Sequence, residues 1–245
     1  MNYSSLAKSY NTLHYSKQLR DTLQAFFKEE TFHDFTKFEL QKKFNDVLFK
    51  NYEGEEILKY KLAKLFKEKK YVAAFEVKAR NSRTDFLVIN GYTKSFEVKS
   101  KIDNLSRLSK QANDYSDVFE YNTVVIDSKH LKAVEDILPD YYGIWFFELN
   151  KRIEYRKAKY SPNLNAKALL ELLNKKELIT FFNNYNLDQI LNHYTLEQIN
   201  TEIKKALKKR YEQRWSFLKA NWEKILPIDI QFFFNSNIKP ELIYY

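Results

Sequence analysis

Three residues in the middle of this chain have the types and spacing for phosphodiester chemistry: Asp85, then after eleven intervening residues Glu97, then Lys99 across a single Val98. Two carboxylates facing each other from adjacent strands would hold a hard divalent cation that keeps several of its waters. Such a cation polarises a phosphate and acidifies a bound water, and an ammonium two residues along the same strand face would meet the charge that develops. The alternative is bland: Phe96 and Val98 alternate with Glu97 and Lys99 as on any amphipathic strand with a polar outer face. A Glu-x-Lys triplet is also cheap in a lysine-rich chain. Four occur here, beginning at Glu68, Glu76, Glu97 and Glu202, and only the one at Glu97 has an upstream Asp, a turn and a following helical stretch.

The pattern around these residues supplies a scaffold. β-like stretches at residues 72–77, 84–89 and 95–99 follow one another, the last two flanking Asn90-Gly91 as a hairpin. A helix at about 104–119, an apolar strand at 122–126, a short helix at about 129–137 and a second apolar strand at 143–149 complete an αβββαβαβ order. Two continuous apolar runs separated by a helix imply strands buried on both faces, hence an α/β fold with a mixed sheet flanked by helices. The hairpin loop decides whether the carboxylates can cooperate. A two-residue Asn90-Gly91 turn pairs Asp85 with Phe96 and sends it to the face opposite Glu97. A three-residue loop pairs Ile89 with Thr93 and sets Asp85 across from Glu97, Cβ atoms about 5 Å apart. A shared metal requires the second arrangement.

The order strand–Asp–hairpin–Glu-x-Lys–helix resembles the PD-(D/E)XK phosphodiesterase superfamily, the restriction-endonuclease-like fold. Residues 52–125 are similar, more narrowly, to a poorly characterised family of bacterial and phage proteins placed in that superfamily. The matching pieces are Tyr52-Glu53-Gly54-Glu55, Phe75-Glu76 nine residues before Asp85, Phe96-Glu97-Val98-Lys99-Ser100, then Asp103, Leu105, Arg107-Leu108, Gln111, Tyr115 and Val118-Phe119. The resemblance implies Asp85 and Glu97 as ligands of Mg²⁺ (or Mn²⁺), Lys99 as the catalytic lysine, Glu55 as a further acidic ligand, the Val98 carbonyl as an added ligand, and Gln111 as a supporting residue. Thr84 stands where the superfamily motif has Pro. Glu56 competes with Glu55 for the acidic role, and Glu76 reads as a neighbour of the site. Arg107, four residues before Gln111 on one helix face, would meet a phosphate or only solvent.

The flanks are helical. Leu19, Leu23, Phe26 and Phe27, then Phe38, Leu40, Phe44, Val47 and Leu48, recur at helical spacing in residues 1–50, an N-terminal extension to a nuclease core at 51–160. A third helix opens near Tyr52 with Ile57, Leu58, Leu62, Leu65 and Phe66 as its apolar stripe. Residues 161–245 form a C-terminal helical region whose long helix begins at a Thr195/Gln198 capping box and runs to Pro227. Its Lys204, Lys205, Lys208, Lys209 and Arg210 form a dense basic face, either solvated or in contact with a nucleic-acid backbone. The terminal regions would position substrate, build a homodimer or meet a protein partner.

Composition works by exclusion. The 245 residues contain no Cys and 3 Gly, which removes disulfide scaffolds, thiol catalysis and zinc fingers, and leaves no phosphate-cradling glycine loop for ATP. The four His show no metal-ligand spacing. The net charge is +9, and residues 151–245 carry 17 basic and 10 acidic side chains against 24 and 22 in residues 1–150. Because 33 of the 41 basic residues are Lys in an Asn-, Ile- and Tyr-rich chain, as an AT-rich genome writes, charge alone is weak evidence for a polyanion partner. No segment reaches the ~20 apolar residues of a membrane span, and the N-terminus lacks a signal-peptide core, so the expected setting is cytoplasmic with no membrane partner.

The expectation is therefore a metal-dependent nuclease, DNA ahead of RNA as substrate. The alternatives are a catalytically silent nucleic-acid-binding or assembly protein on the same fold, and a partner-gated defence or toxin effector.

Overall fold

The computed structural model describes residues 2–52, 54–148 and 151–245. Three helices open the chain: α1 (Tyr3–Ser9), α2 (Ser16–Phe26) and α3 (Lys37–Asn51). They bury Leu6, Leu19, Leu23, Phe32, Leu40, Phe44 and Leu48 against one another as a cluster of their own. Helix α3 starts where Thr36 and Glu39 cap each other reciprocally, Glu39 Oε2 accepting from the Thr36 backbone N–H at 2.8 Å.

The sheet follows α4 (Glu55–Phe66). Its strands are β1 (Val72–Ala79), β2 (Ser82–Ile89), β3 (Thr93–Lys99), β4 (Tyr121–Ile126), β5 (Gly143–Glu148) and β6 (Lys151–Arg156), and they lie side by side in chain order. β1–β2–β3 are antiparallel, β3–β4–β5 parallel and β5–β6 antiparallel. The two parallel steps need crossovers. Helix α5 (Leu108–Ser116) carries the first and α6 (Leu131–Ile137) the second, both packing on one face through Leu108, Ala112, Val134 and Leu138 onto Val124, Ile126, Ile144 and Phe146. The mixed sheet flanked by helices is thus the α/β architecture expected.

The other face carries the larger core. After three short helices, α7 (Ala166–Leu170), α8 (Lys175–Phe182) and α9 (Leu187–His193), the long α10 (Leu196–Ala220) lays Ile199, Ile203, Ala206, Leu207, Trp215 and Leu218 into a cluster with Phe75, Phe86 and Phe96 of the sheet. The expected Thr195/Gln198 box caps α10. The helix does not run on to Pro227: Asn221 turns the chain, its side-chain amide donating to the Phe217 carbonyl at 2.9 Å, and Trp222 folds away to stack on Tyr60 at 5.4 Å. Short helices α11 (Ile230–Ser236) and α12 (Glu241–Tyr244) close the chain.

Two further differences from the sequence reading have plain causes. The edge strand β6 reads KRIEYR, largely exposed and charged, with no apolar alternation to announce it. Helix α5 is shorter than residues 104–119, because the Asn104–Arg107 stretch is held in turns: the Asn104 side chain accepts from the backbone N–H of Ser106 at 3.2 Å. Glu53, in the motif before α4, and Leu149, at the end of the second apolar run, lie outside the described residues.

Candidate functional site: an acidic cleft at the fork of a hairpin

The β2–β3 hairpin has the three-residue loop. Ile89 pairs with Thr93, leaving Asn90, Gly91 and Tyr92 in the turn, and Gly91 takes a φ of +93°, a conformation that glycine adopts without a Cβ penalty. The ladder continues to Phe86↔Phe96 and then stops. Beyond it the strands fork, and side chains bridge the gap. The Thr84 hydroxyl donates to the Phe96 carbonyl at 3.0 Å, and the Val98 backbone N–H donates to Asp85 Oδ2 at 2.6 Å. Continued in register, Asp85 stands across from Glu97, and both line one cleft with Lys99.

Glu97 is held from two elements. Its Oε1 accepts from Lys99 Nζ at 2.6 Å and from Gln111 Nε2 at 2.5 Å, and its Oε2 lies 2.7 Å from the Tyr115 hydroxyl. Gln111 and Tyr115 are four apart on α5, so one helix face reaches both oxygens. Asp85, Glu97 and Lys99 are all buried, at 7%, 3% and 7% exposure, so their charges are compensated by these partners rather than by water.

The fork also engages α4 and β1. Glu55, first residue of α4, joins Asp85 and Glu76 in a cluster whose carboxylate oxygens lie within 4.8 Å of one another, the one such group of three His, Cys, Asp or Glu side chains among the described residues. Glu76 falls opposite Asp85 in the β1–β2 register, between the pairs Phe75↔Phe86 and Val77↔Thr84, and its backbone there is left-handed, φ +54°. Glu56, next to Glu55, is exposed and outside this group.

At the centre of the group sits Lys59, a residue the sequence reading missed. Its ammonium pairs with Glu55 one turn before it, with Glu76 at 2.5 Å and with Asp85 Oδ1 at 3.0 Å, and it donates to the Gln231 side-chain oxygen at 3.2 Å. Lys59 is 4% exposed. The available signal was its i,i+4 spacing from Glu55 inside an otherwise apolar stripe.

These contacts set the electrostatics. Burial, reinforced by Glu97, pushes the Asp85 carboxyl well above the usual aspartate range. Burial also raises Glu97, against the opposing pull of Lys99 and Tyr115. For Glu55 burial pulls upward, but Lys59 and the other neighbours outweigh it and the carboxyl lies below its ordinary value. Lys59 is the converse case: burial favours the neutral amine, and Asp85, Glu55 and Glu76 together hold the proton on it more firmly than usual. Burial and then Glu97 raise the Tyr115 phenol, which stays protonated as a donor.

The cleft holds about 780 Å³, and its mouth is basic, with Lys78, Arg80, Arg83, Arg107 and Lys110 around the acidic floor. Arg80 pairs with Asp117 at 3.1 Å and Lys110 with Asp114 at 2.9 Å. The basic residues of α10 lie elsewhere. Lys204 pairs with the buried Glu120 at 3.0 Å, Lys205 with Glu202 at 2.7 Å, and Arg210 with Glu177 at 2.5 Å. Lys209 lies over the Phe181 ring, and Lys208 is exposed. The structure therefore brings together Glu55, Asp85, Glu97, Val98, Lys99, Arg107 and Gln111, and keeps Lys204, Lys205, Lys208, Lys209 and Arg210 out of the cleft. Val98 enters through its N–H on Asp85.

Fold and site define an α/β chain with a carboxylate- and lysine-lined cleft where a mixed sheet forks. By sequence the chain belongs to the family of Bacteriophage P4 protein cII, whose profile matches residues 55–233, a span from the first helix of the cleft through the sheet to α11. This agrees with a bacterial or phage setting. No curated protein matches the chain. Among solved structures, a protein of unknown function from Silicibacter pomeroyi is similar at 18% identity and a TM-score of 0.33, over 41% of this chain and 68% of that one. No helix among the described residues is long and apolar enough to cross a membrane.

Proposed function

We propose that the chain is a metal-dependent nuclease hydrolysing phosphodiester bonds, DNA ahead of RNA, with a 5′-phosphate left on the product. The observation that carries this reading is the fork itself: the register that a shared site requires is present, and it delivers Asp85, Glu97 and Lys99 to one cleft with a basic mouth. The resemblance to PD-(D/E)XK enzymes supports the same chemistry.

The donors suit a hard cation, since all are carboxylate oxygens and three of them already converge on an ammonium. Asp85, Glu97 and Glu55 would hold Mg²⁺ or Mn²⁺; Glu76 shares the close carboxylate group with Glu55 and Asp85, and Glu97 joins from outside that group, where Lys99, Gln111 and Tyr115 now hold it. A divalent ion there supplies Lewis-acid polarisation of the phosphate and a more acidic water. The protein's own groups do the rest. Gln111 and Tyr115 hold the Glu97 carboxylate in place, Lys99 orients or deprotonates the attacking water and meets charge on the phosphorane-like state, and Lys78 and Arg107 at the mouth meet flanking phosphates.

One observation favours a second reading. Lys59 already neutralises the carboxylates that would bind a cation, as in a nucleic-acid-binding or assembly protein that keeps the fold without turnover. Incubation with plasmid, single-stranded DNA and RNA, in Mg²⁺, Mn²⁺ or EDTA, beside Asp85→Ala and Lys99→Ala, separates the two. Cleavage abolished by EDTA and by either substitution is the expected result. Cleavage that survives Lys99→Ala or EDTA would defeat the proposed mechanism, and retained binding without cleavage in any metal would favour the second reading.

A further inference from the structure

A second cavity, of about 620 Å³, opens on the opposite side of the sheet. Phe96 lines it while Glu97, the next residue of β3, lines the acidic cleft, and successive strand residues face opposite ways. The volume lies within the range of about 300–1,000 Å³ typical of small-molecule sites.

Its walls are flat rings. Phe96 and Trp145, both buried, stand at its base with centroids 5.1 Å apart, and the half-buried Phe66 lies 5.5 Å from Phe96. Tyr92 and Tyr121, edge to face at 5.5 Å, form the wall toward the hairpin loop. Around these rings stand four cationic side chains, Lys69, Lys94, Arg152 and Lys157, against the single carboxylate of Glu154. Arg152 is stacked 4.3 Å above the Trp145 ring and Lys94 lies over Tyr121 at 5.7 Å, while Lys69 and Lys157 are exposed and have no acidic partner among the described residues. Two residues of the wall also hold buried polar atoms without hydrogen-bond partners: the indole N–H of Trp145, a side chain only 8% exposed, and the amide oxygen of Asn90. A buried donor and acceptor left unanswered in this way cost stability.

We propose that this cavity binds a nucleotide, the base lying against the more open rings of Phe66, Tyr92 and Tyr121 and the phosphate among the lysines and Arg152. A neutral apolar ligand would use the rings but leave the cations unmatched. A simple anion would use the cations and leave the rings idle. A nucleotide uses both, since every base has a stackable face and a hydrogen-bonding edge, and phosphate oxygens accept charge-assisted hydrogen bonds from Lys and Arg. The nucleotide is either free or one unit of a single strand.

The test is a titration of the full chain in EDTA, which keeps metal-dependent cleavage out of the measurement. The probes are 5′-mononucleotides, the matching nucleosides, inorganic phosphate, and a single-stranded oligothymidylate. Calorimetry reads affinity, and ¹H–¹⁵N spectra read the Trp145 indole signal, identified by its loss in Trp145→Phe. A mononucleotide should bind at least about tenfold more tightly than its nucleoside or than phosphate and shift that signal, and Lys69→Glu with Lys157→Glu should weaken it by about tenfold. Both lysines are exposed, so this pair removes charge without opening the core, and unchanged signals from Trp215 and Trp222 verify the fold. A shift of the Trp145 signal by the oligonucleotide alone would assign the site to a nucleotide within a strand. Equal binding of nucleoside and nucleotide, or a Trp145 signal that no probe moves, would overturn the proposal.

Discussion

Lys59 is the least expected side chain of the cleft, and its energetics make it informative. The buried Lys59 ammonium and Asp85 carboxylate, with Glu55 and Glu76 partly exposed beside them, lose hydration that close pairing must recover. Removing the cation leaves the carboxylates facing one another, so Lys59→Met, measured by urea unfolding in EDTA, should lose about 3 kcal/mol or more. The three carboxylates are then free for a divalent ion, and Mg²⁺ should return part of the loss by mass action, stabilising the variant more than the wild type. Equal Mg²⁺ effects on both proteins would mean that Lys59 and a metal do not compete for these oxygens. The sequence contained the chemistry-bearing trio but not this arrangement. Asp85, Glu97 and Lys99 announce themselves by spacing along one hairpin, whereas Lys59 meets Glu76 and Asp85 only because α4 crosses the fork, and helical periodicity says nothing about which strand a helix face will meet.

The hairpin and its neighbour β1 show which features of the elements can be read in advance. The sequence leaves two loop lengths open; arithmetic on pairing shows that only the three-residue loop puts Asp85 and Glu97 on the same side, and that register is present. The left-handed residue in β1 does not follow from any pattern. Phe75-Glu76-Val77-Lys78 repeats the tetrapeptide at Phe96 closely, yet Glu76 is left-handed and Glu97 is not among the positive-φ residues. The conformation costs roughly 1–2 kcal/mol for a residue with a Cβ, and the Lys59 contact and the flanking core residues Phe75 and Val77, both buried, offset it. Comparing Glu76→Asn with Glu76→Val isolates the backbone, since both substitutions delete the ion pair. Asn tolerates the left-handed region and a β-branched side chain does not, so the Val variant should be less stable than the Asn variant by about 1–2 kcal/mol in denaturant unfolding. Equal stabilities would show that the strand relaxes to a regular ladder at no cost. The basic face of α10 was legible as a charge run and illegible in its use, because the acids that engage Lys204 and Arg210, namely Glu120 and Glu177, lie far off in sequence.

Across the molecule, the two ends of the chain meet at one buried carboxylate. Asp229, fully buried, accepts hydrogen bonds from the hydroxyls of Tyr10 at 2.9 Å and Thr12 at 2.8 Å in the N-terminal segment, and of Tyr244 at 2.9 Å in α12. Asn45 of α3 binds the adjacent chain through the Ile228 N–H at 2.9 Å. The helical N-terminal region, with its own small core, is thereby tied to the C-terminal end. Burial raises the Asp229 carboxyl to about 6 from an ordinary 3.8, against three hydroxyl donors and Asn45 that pull it down. The fold therefore binds this proton more tightly than the unfolded chain does. Stability from this group is fully present below about pH 4 and is lost as pH rises through about 6, a change of about 3 kcal/mol when complete. Asp229→Asn keeps an acceptor for the hydroxyls and removes the titration. Between pH 4 and pH 7.5 the unfolding free energy of the variant should gain on that of the wild type by up to about 3 kcal/mol, with the change centred between pH 4 and 6. The comparison is made as a difference because Asp85 and Glu97 titrate in both proteins. If the two curves run parallel across that range, the proton is not held at Asp229, and the junction of the chain ends is built on an ionised carboxylate that its three hydroxyl donors stabilise in full.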